Sequence, residues 1–143
     1  MYELIYTSVA NMKFDDKSLI RLLNIARSRN QGYGITGMLI YYNQEFIQLL
    51  EGPKTAVEQV FPLIRDDDKH RTINVVYEGD IQSRAFANWS MAFKSVNHIN
   101  ELVTDGYRDI SHPISLGDLC YKNPNVGREI FMLHREMLLG VTQ

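Results

Sequence analysis

The sequence predicts an α+β fold on the split βαβ, ferredoxin-like plan: a βαββαββ mixed sheet with two helices on one face and a C-terminal helical extension. Three observations lead there. Five short runs are rich in β-branched and aromatic residues, and two intervening stretches keep apolar residues at helical spacing. The second and third runs are separated by two residues, a hairpin-length connection.

The first strand is Tyr2 to Ser8, with Leu4, Tyr6 and Ser8 on one face and Ile5 and Thr7 on the other. Asp15 or Asp16 caps the helix that follows; Leu19, Leu22, Leu23 and Ala26 give it one apolar face, and Asn30, Gly32 and Gly34 close it. The next strands are Ile35 to Tyr42 and Glu45 to Glu51, joined across Asn43 and Gln44. In the third strand Phe46, Gln48 and Leu50 share one side while Ile47 and Leu49 share the other, so either side buries Gln48. An amide carries two donors and two acceptor lone pairs, and leaving them unpaired costs about 1–3 kcal/mol. Gln48 therefore needs a partner, which need not be protein.

Gly52 and Pro53 open a second helix carrying Val57, Val60, Phe61 and Ile64. Pro62 deletes the N–H that would bond the carbonyl of Glu58, so a kink or early break is expected. Thr72 to Tyr77 is the fourth strand. Asn88 to Ser95 is the fifth, with Trp89, Met91 and Phe93 on one face and Ser90, Ala92 and Lys94 on the other. From Val96 the pattern changes. Leu102 and Val103 suggest a short helix, Pro113 and Pro124 punctuate, and Arg128 to Leu139 places Phe131, His134 and Leu138 at helical spacing before Gly140. Residues 1–95 thus make the sheet unit; residues 96–143 form an extension of the same globule, packed on the open sheet face or on a partner.

At 143 residues the chain is one ordinary domain. A formal charge of −2 gives no electrostatic case for nucleic acid. The lone Cys120 forbids an internal disulfide and any multi-cysteine metal site, as suits a reducing compartment. The start, MYELIYTSVA, lacks the charged segment and apolar core of a signal peptide, and no apolar run approaches a membrane span. The expected location is cytoplasmic, without membrane or nucleic-acid partners.

No GxSxG, HExxH, CxxC or phosphate loop is present, and the histidines at 70, 98, 112 and 134 show no metal spacing. No catalytic residue is assigned and no metal expected. Asp66, Asp67 and Asp68 read as a solvated helix end, with His70 and Arg71 as ordinary helix C-terminal cations. Taken singly, Tyr6 is a core aromatic, Asn30 a C-cap, Trp89 a large core residue and Met91 a gap-filler. Gln48 is satisfied by backbone, or by something outside the protein.

The joint arrangement carries more. The stretches LIYTS, NQGYGITGML, FIQLLEG, RDDDKH and NWSM come in one order at domain-scale spacing over residues 1–95. This resembles the BLUF family, sensors of blue light using flavin adenine dinucleotide, and in particular its short members. The resemblance implies a flavin between the two helices: FAD, with FMN or riboflavin as alternatives. It implies that Tyr6 is the photoactive tyrosine, Gln48 the switching glutamine and Asn30 the holder of the flavin's polar edge. Leu22 and Ile64 would lie against the two ring faces, Phe46 beside Gln48, and Asp67 and His70 at the site after the second helix. Trp89 and Met91 would relay the signal. Lys69 stands where the family commonly has arginine, Arg29 occupies a variable position beside the asparagine, Leu63 a site that is basic in some relatives, and Pro62 is unusual.

The resemblance further implies light-driven electron and proton transfer between Tyr6 and flavin, with Gln48 reversing its hydrogen bonds to give a red-shifted state that reverts in the dark. The short members act through self-association and separate partner proteins, so a homo-oligomer and a separate downstream signalling protein are expected. Two rival readings remain: a ferredoxin-like ligand-binding or assembly module without photochemistry, and a flavin-independent small enzyme using His70 and the adjacent acids.

Overall fold

A computed structural model describes residues 1–96, 116, 117, 120 and 125–142, with side chains in the last segment described for residues 125–133 and 135. The helix expected at Leu102 and Val103, the prolines at 113 and 124, and the side chains of His134 and Leu138 lie outside the described residues. The elements are β1 (Tyr2–Ala10), α1 (Asp16–Tyr33), β2 (Thr36–Tyr42), β3 (Glu45–Gly52), α2 (Lys54–Arg65), β4 (His70–Asp80), β5 (Ala92–Val96) and α3 (Val126–Thr142).

The strands form one sheet in the order β4-β1-β3-β2-β5. All neighbours are antiparallel except β2 and β5, which run parallel and make the sheet mixed. Asn43 and Gln44 form the two-residue β2–β3 turn with φ of 48° and 61°, the left-handed values that match the twist of a tight hairpin. Asp15 caps α1 by accepting from the Ser18 N–H at 2.8 Å. Gly34 ends it at φ 69°, a conformation open to glycine.

Side chains alternate along the strands, so the sheet has two buried faces. Leu4, Tyr6, Leu39, Phe46 and Leu50 pack under Leu19 and Leu23 of α1 and Val57, Val60 and Ile64 of α2. Ile5, Ile40, Ile47 and Leu49 pack on the other face against Val126, Ile130 and Phe131 of α3. The extension therefore covers the open face. Ile130 and Phe131 are fully buried there, each contributing about 1.5–3 kcal/mol over exposure.

Three expectations are corrected. Pro62 does not break α2, which runs on to Arg65, with the Asp66 N–H reaching the Pro62 carbonyl at 3.0 Å. Strand β4 is longer than Thr72 to Tyr77 because it pairs along the whole of β1, from Tyr2 opposite Asp80 to Ala10 opposite His70, with register shifts opposite Ile5/Tyr6 and Thr7/Val9 absorbing the surplus residues. Thr72 in that irregularity has φ 55°, unusual for a β-branched residue. Strand β5 begins at Ala92, not Asn88. The carbonyls of Trp89, Ser90 and Met91 are taken by the Gly37 N–H (3.2 Å), the Asn30 amide (3.1 Å) and the Arg27 guanidinium (3.0 Å), which tie this stretch to α1 and the start of β2. Trp89 consequently packs with the α3-side cluster while Met91 joins the α1/α2 side.

Candidate functional site

Tyr6 and Gln48 are register partners on β1 and β3, and Leu39 of β2 flanks Gln48 on the other side. The strand period turns Tyr6, Phe46 and Gln48 toward the helices, where they floor a cleft between α1 and α2. The space between its walls, counted with the open mouth, is about 550 Å³. One wall is Leu22, Ile25, Ala26 and Arg29, residues brought onto one stripe of α1 by helical spacing. The other is Ile64 at the end of α2 with Asp67, Lys69 and His70 from the chain leading into β4. Phe14 closes one end, its ring edge-on to Phe46 at 5.5 Å.

Both central polar groups are buried, Tyr6 and Gln48 each being 3% exposed. The Tyr6 hydroxyl donates to Gln48 Oε1 at 2.5 Å, and Gln48 Nε2 donates to Met91 Sδ at 3.4 Å. A thioether is a weak acceptor, so among the described residues this amide has one good hydrogen bond and one poor one. Burial pushes the Tyr6 phenol well above its ordinary pKa, with Arg29 offsetting part of the effect. Burial lowers the Arg29 pKa, opposed by Tyr6 and Asp67. Burial pushes the Asp67 carboxyl up, but the Lys69 N–H at 2.9 Å, the Lys69 ammonium at 3.4 Å and His70 together hold it below the usual carboxylate range.

His70 is corrected from a helix-end cation to the first residue of β4. Its Nε2 meets the Ile64 carbonyl at 2.6 Å and its Nδ1 the Ser8 hydroxyl at 2.8 Å. Since a carbonyl only accepts, Nε2 carries the proton, and in the neutral ring Nδ1 accepts from Ser8. The imidazole thus pins the end of α2 to β1 beside Tyr6, whose ring it meets edge-on at 6.1 Å. Among the described residues, no group of three or more His, Cys, Asp or Glu could hold a metal ion, and no helix is long and apolar enough to cross a membrane.

Residues 1–92 match the profile of the family described as BLUF, sensors of blue-light using FAD. The chain belongs to the BLUF family. It is 37% identical over 89 residues to the photoactivated adenylate cyclase subunit beta of Euglena longa, a match covering 62% of this chain and 10% of that protein. It is 34% identical over 70 residues to the blue light- and temperature-regulated antirepressor BluF of Escherichia coli (strain K12), covering 49% of this chain and 17% of the relative. Among solved structures it resembles the dark state of BlrB, a BLUF protein, with TM-score 0.67 and 31% identity over 86% of this chain and 94% of that one. It likewise resembles the BlsA ground state, with TM-score 0.67 and 28% identity over 88% and 87% of the two chains. The chain spans about a tenth of the length of the first curated relatives it matches.

As a BLUF domain the chain is a sensor module built for flavin, and the cleft fits such a group: an under-bonded buried amide on the floor, apolar side chains on both walls, and Arg29 and Lys69 near the mouth. Of the residues that sequence alone pointed to, Tyr6, Leu22, Arg29, Phe46, Gln48, Ile64, Asp67, Lys69 and His70 all line it. Asn30 does not. It is wholly buried within the last turn of α1 rather than capping it, its Nδ2 donating to the Ser90 carbonyl at 3.1 Å and its Oδ1 accepting from Arg29 Nε at 3.3 Å. Of the two expected relay residues, Met91 contacts Gln48 while Trp89 lies on the far side of the sheet, edge-on to Phe86 at 6.3 Å. Sequence reading missed Phe14, Ile25, Ala26 and Leu39. Ile25 and Ala26 fall between Leu22 and Arg29 at helical spacing, which could have found them, whereas Leu39 is identified only by its register opposite Gln48.

Proposed function

We propose that this chain holds FAD non-covalently in the α1/α2 cleft, with Tyr6 and Gln48 as the photoactive pair, and passes a reversible light-induced change to a separate signalling protein. The observation that carries this is the Tyr6–Gln48–Met91 chain of contacts: a buried amide strongly bonded at its oxygen end and poorly bonded at its nitrogen end. When bound, the flavin supplies blue-light absorption and an acceptor for an electron. Tyr6 holds its proton at the hydroxyl, because burial makes a bare phenolate costly, so loss of an electron and passage of that proton toward Gln48 Oε1 go together. Once the electron and proton are back on Tyr6, a Gln48 carboxamide that has turned end for end has exchanged its donor and acceptor ends with no bond broken and no charge buried. The exchange sets an acceptor against the Met91 sulfur, which has no proton to give, and Met91 is pushed from its seat.

Leu22 and Ile64 bracket the ring from α1 and α2, Phe46 packs beside Gln48, and Arg29, Asp67, Lys69 and His70 form the polar end of the site. Asn30 acts by holding Ser90 and Arg29 and turns to the flavin only if the cleft closes around it. Residues 1–95 form the photosensory unit, and residues 96–143 its output or self-association surface, the molecule working as a cytoplasmic homo-oligomer without catalytic activity of its own. Purified protein supplied with FAD, FMN or riboflavin tests the proposal: retention of FAD and a band that moves reversibly to longer wavelength under blue light are expected. Colourless protein after all three would contradict it.

A further inference from the structure

Gln48 and Glu51 stand three residues apart on β3 and therefore face opposite sides of the sheet. On the helix side Gln48 meets Met91. On the other side Glu51, 0% exposed, accepts from the N–H groups of Ala85 and Phe86, each at 2.7 Å, and from the Thr36 hydroxyl at 2.8 Å. Arg84 closes the rim, donating to Thr36 Oγ1 at 2.9 Å and to the Gly34 carbonyl at 2.7 Å. One strand thus holds both ends of the stretch 84–91, one end from each face.

Helix α3 grips the same stretch. Arg135 Nε donates to the Ala85 carbonyl at 2.8 Å, and the Phe131 ring meets Phe86 at 6.3 Å. Charge-assisted bonds from consecutive backbone N–H groups to a buried carboxylate are short, directed and costly to break, so displacement at Met91 cannot be absorbed by slack at residues 85 and 86. We infer that Glu51 is a positioning residue that makes the stretch 84–91 a stiff bridge between Gln48 and α3, so that the flavin side of the sheet is coupled to the tail through β3 itself. The inference rests on the light-sensing reading above.

Glu51→Gln tests it: the side chain keeps its size, but its amide nitrogen cannot accept from a backbone N–H. The full chain loaded with FAD is followed by absorption and by hydrogen exchange of the α3 backbone amides in the dark and under blue light. The wild type is expected to show a light-minus-dark difference in α3, and E51Q to keep the red shift while that difference falls about threefold or more. A merely structural role would raise exchange equally in both states and leave the difference intact, and that outcome overturns the inference. Should E51Q not fold, Arg135→Met cuts the bridge at its α3 end and is read the same way, an unchanged difference again counting against the bridge. Wild type without a red shift overturns the light-sensing reading; a normal red shift with no α3 difference overturns the bridge alone.

Discussion

Tyr6 and Gln48 show how a single residue's environment sets its chemistry. The phenol's ordinary pKa is 10.0, and burial raises it in the fold. A folded-state pKa above the unfolded one leaves stability untouched below the unfolded value; above it the unfolded chain releases a proton that the native chain keeps, so stability falls as pH rises. Tyr6→Phe should therefore unfold at a higher alkaline pH than the wild type, measured by fluorescence or circular dichroism above pH 10.0. Equal alkaline midpoints would show that the native phenol titrates normally. Gln48 was legible in the sequence because an amide interrupts an apolar pattern. Glu51 was not: at the end of a strand an acid reads as solvated, and only the loop that folds back from 84–86 supplies the donors that bury it. Asn30 was misplaced for a related reason, since a helix-end asparagine looks the same whether it caps the helix or holds a passing carbonyl.

At the scale of elements, the contacts that fix strands and helices to one another are the vulnerable points. Glu3 on β1 is 1% exposed and bonded to Arg128 of α3 at 2.8 Å, while the Arg128 guanidinium also lies 5.0 Å above the Tyr77 ring. Removing the arginine strands a buried carboxylate, but Arg128 is partly exposed and its departure admits water. Arg128→Ala is accordingly expected to cost about 1–3 kcal/mol in urea unfolding. An unchanged midpoint would mean that α3 docks by apolar packing alone. Gly37 on β2 is sterically obliged: a Cβ there would overlap the Leu49 carbonyl oxygen, next in the strand to Gln48, and would touch the end of Met91. Gly37→Ala should lower Tm and disturb Gln48 together, seen as a lower melting temperature and weaker flavin retention. Strand pattern and helix spacing revealed the order of elements and the faces of β1 and β3, and left the tail to dock on the open sheet face or on a partner. The start of β5 was hidden because Trp89 and Met91 alternate like a strand while their carbonyls belong to α1 and β2.

Across the whole molecule, one sheet serves two purposes. Its helix-side face holds the cleft with Tyr6 and Gln48; its other face is keyed to the tail by buried carboxylates, with Glu45 accepting from the Leu116 N–H at 2.8 Å as Glu3 and Glu51 hold Arg128 and the 85–86 loop. Strand β3 touches the stretch 84–91 from both faces, through Gln48 at Met91 and Glu51 at residues 85 and 86, and this is the route we propose for a change set by light. BLUF family membership and the cleft point to a light-sensing input, which we propose is stored in the orientation of one amide, Gln48. The most direct measurement is the absorption difference spectrum of wild type and Gln48→Leu, both loaded with FAD, before and after blue light. A reversible shift to longer wavelength is expected in the wild type and none in the variant, which still binds flavin. A normal, reversible shift in Gln48→Leu would rule out an amide switch at this position.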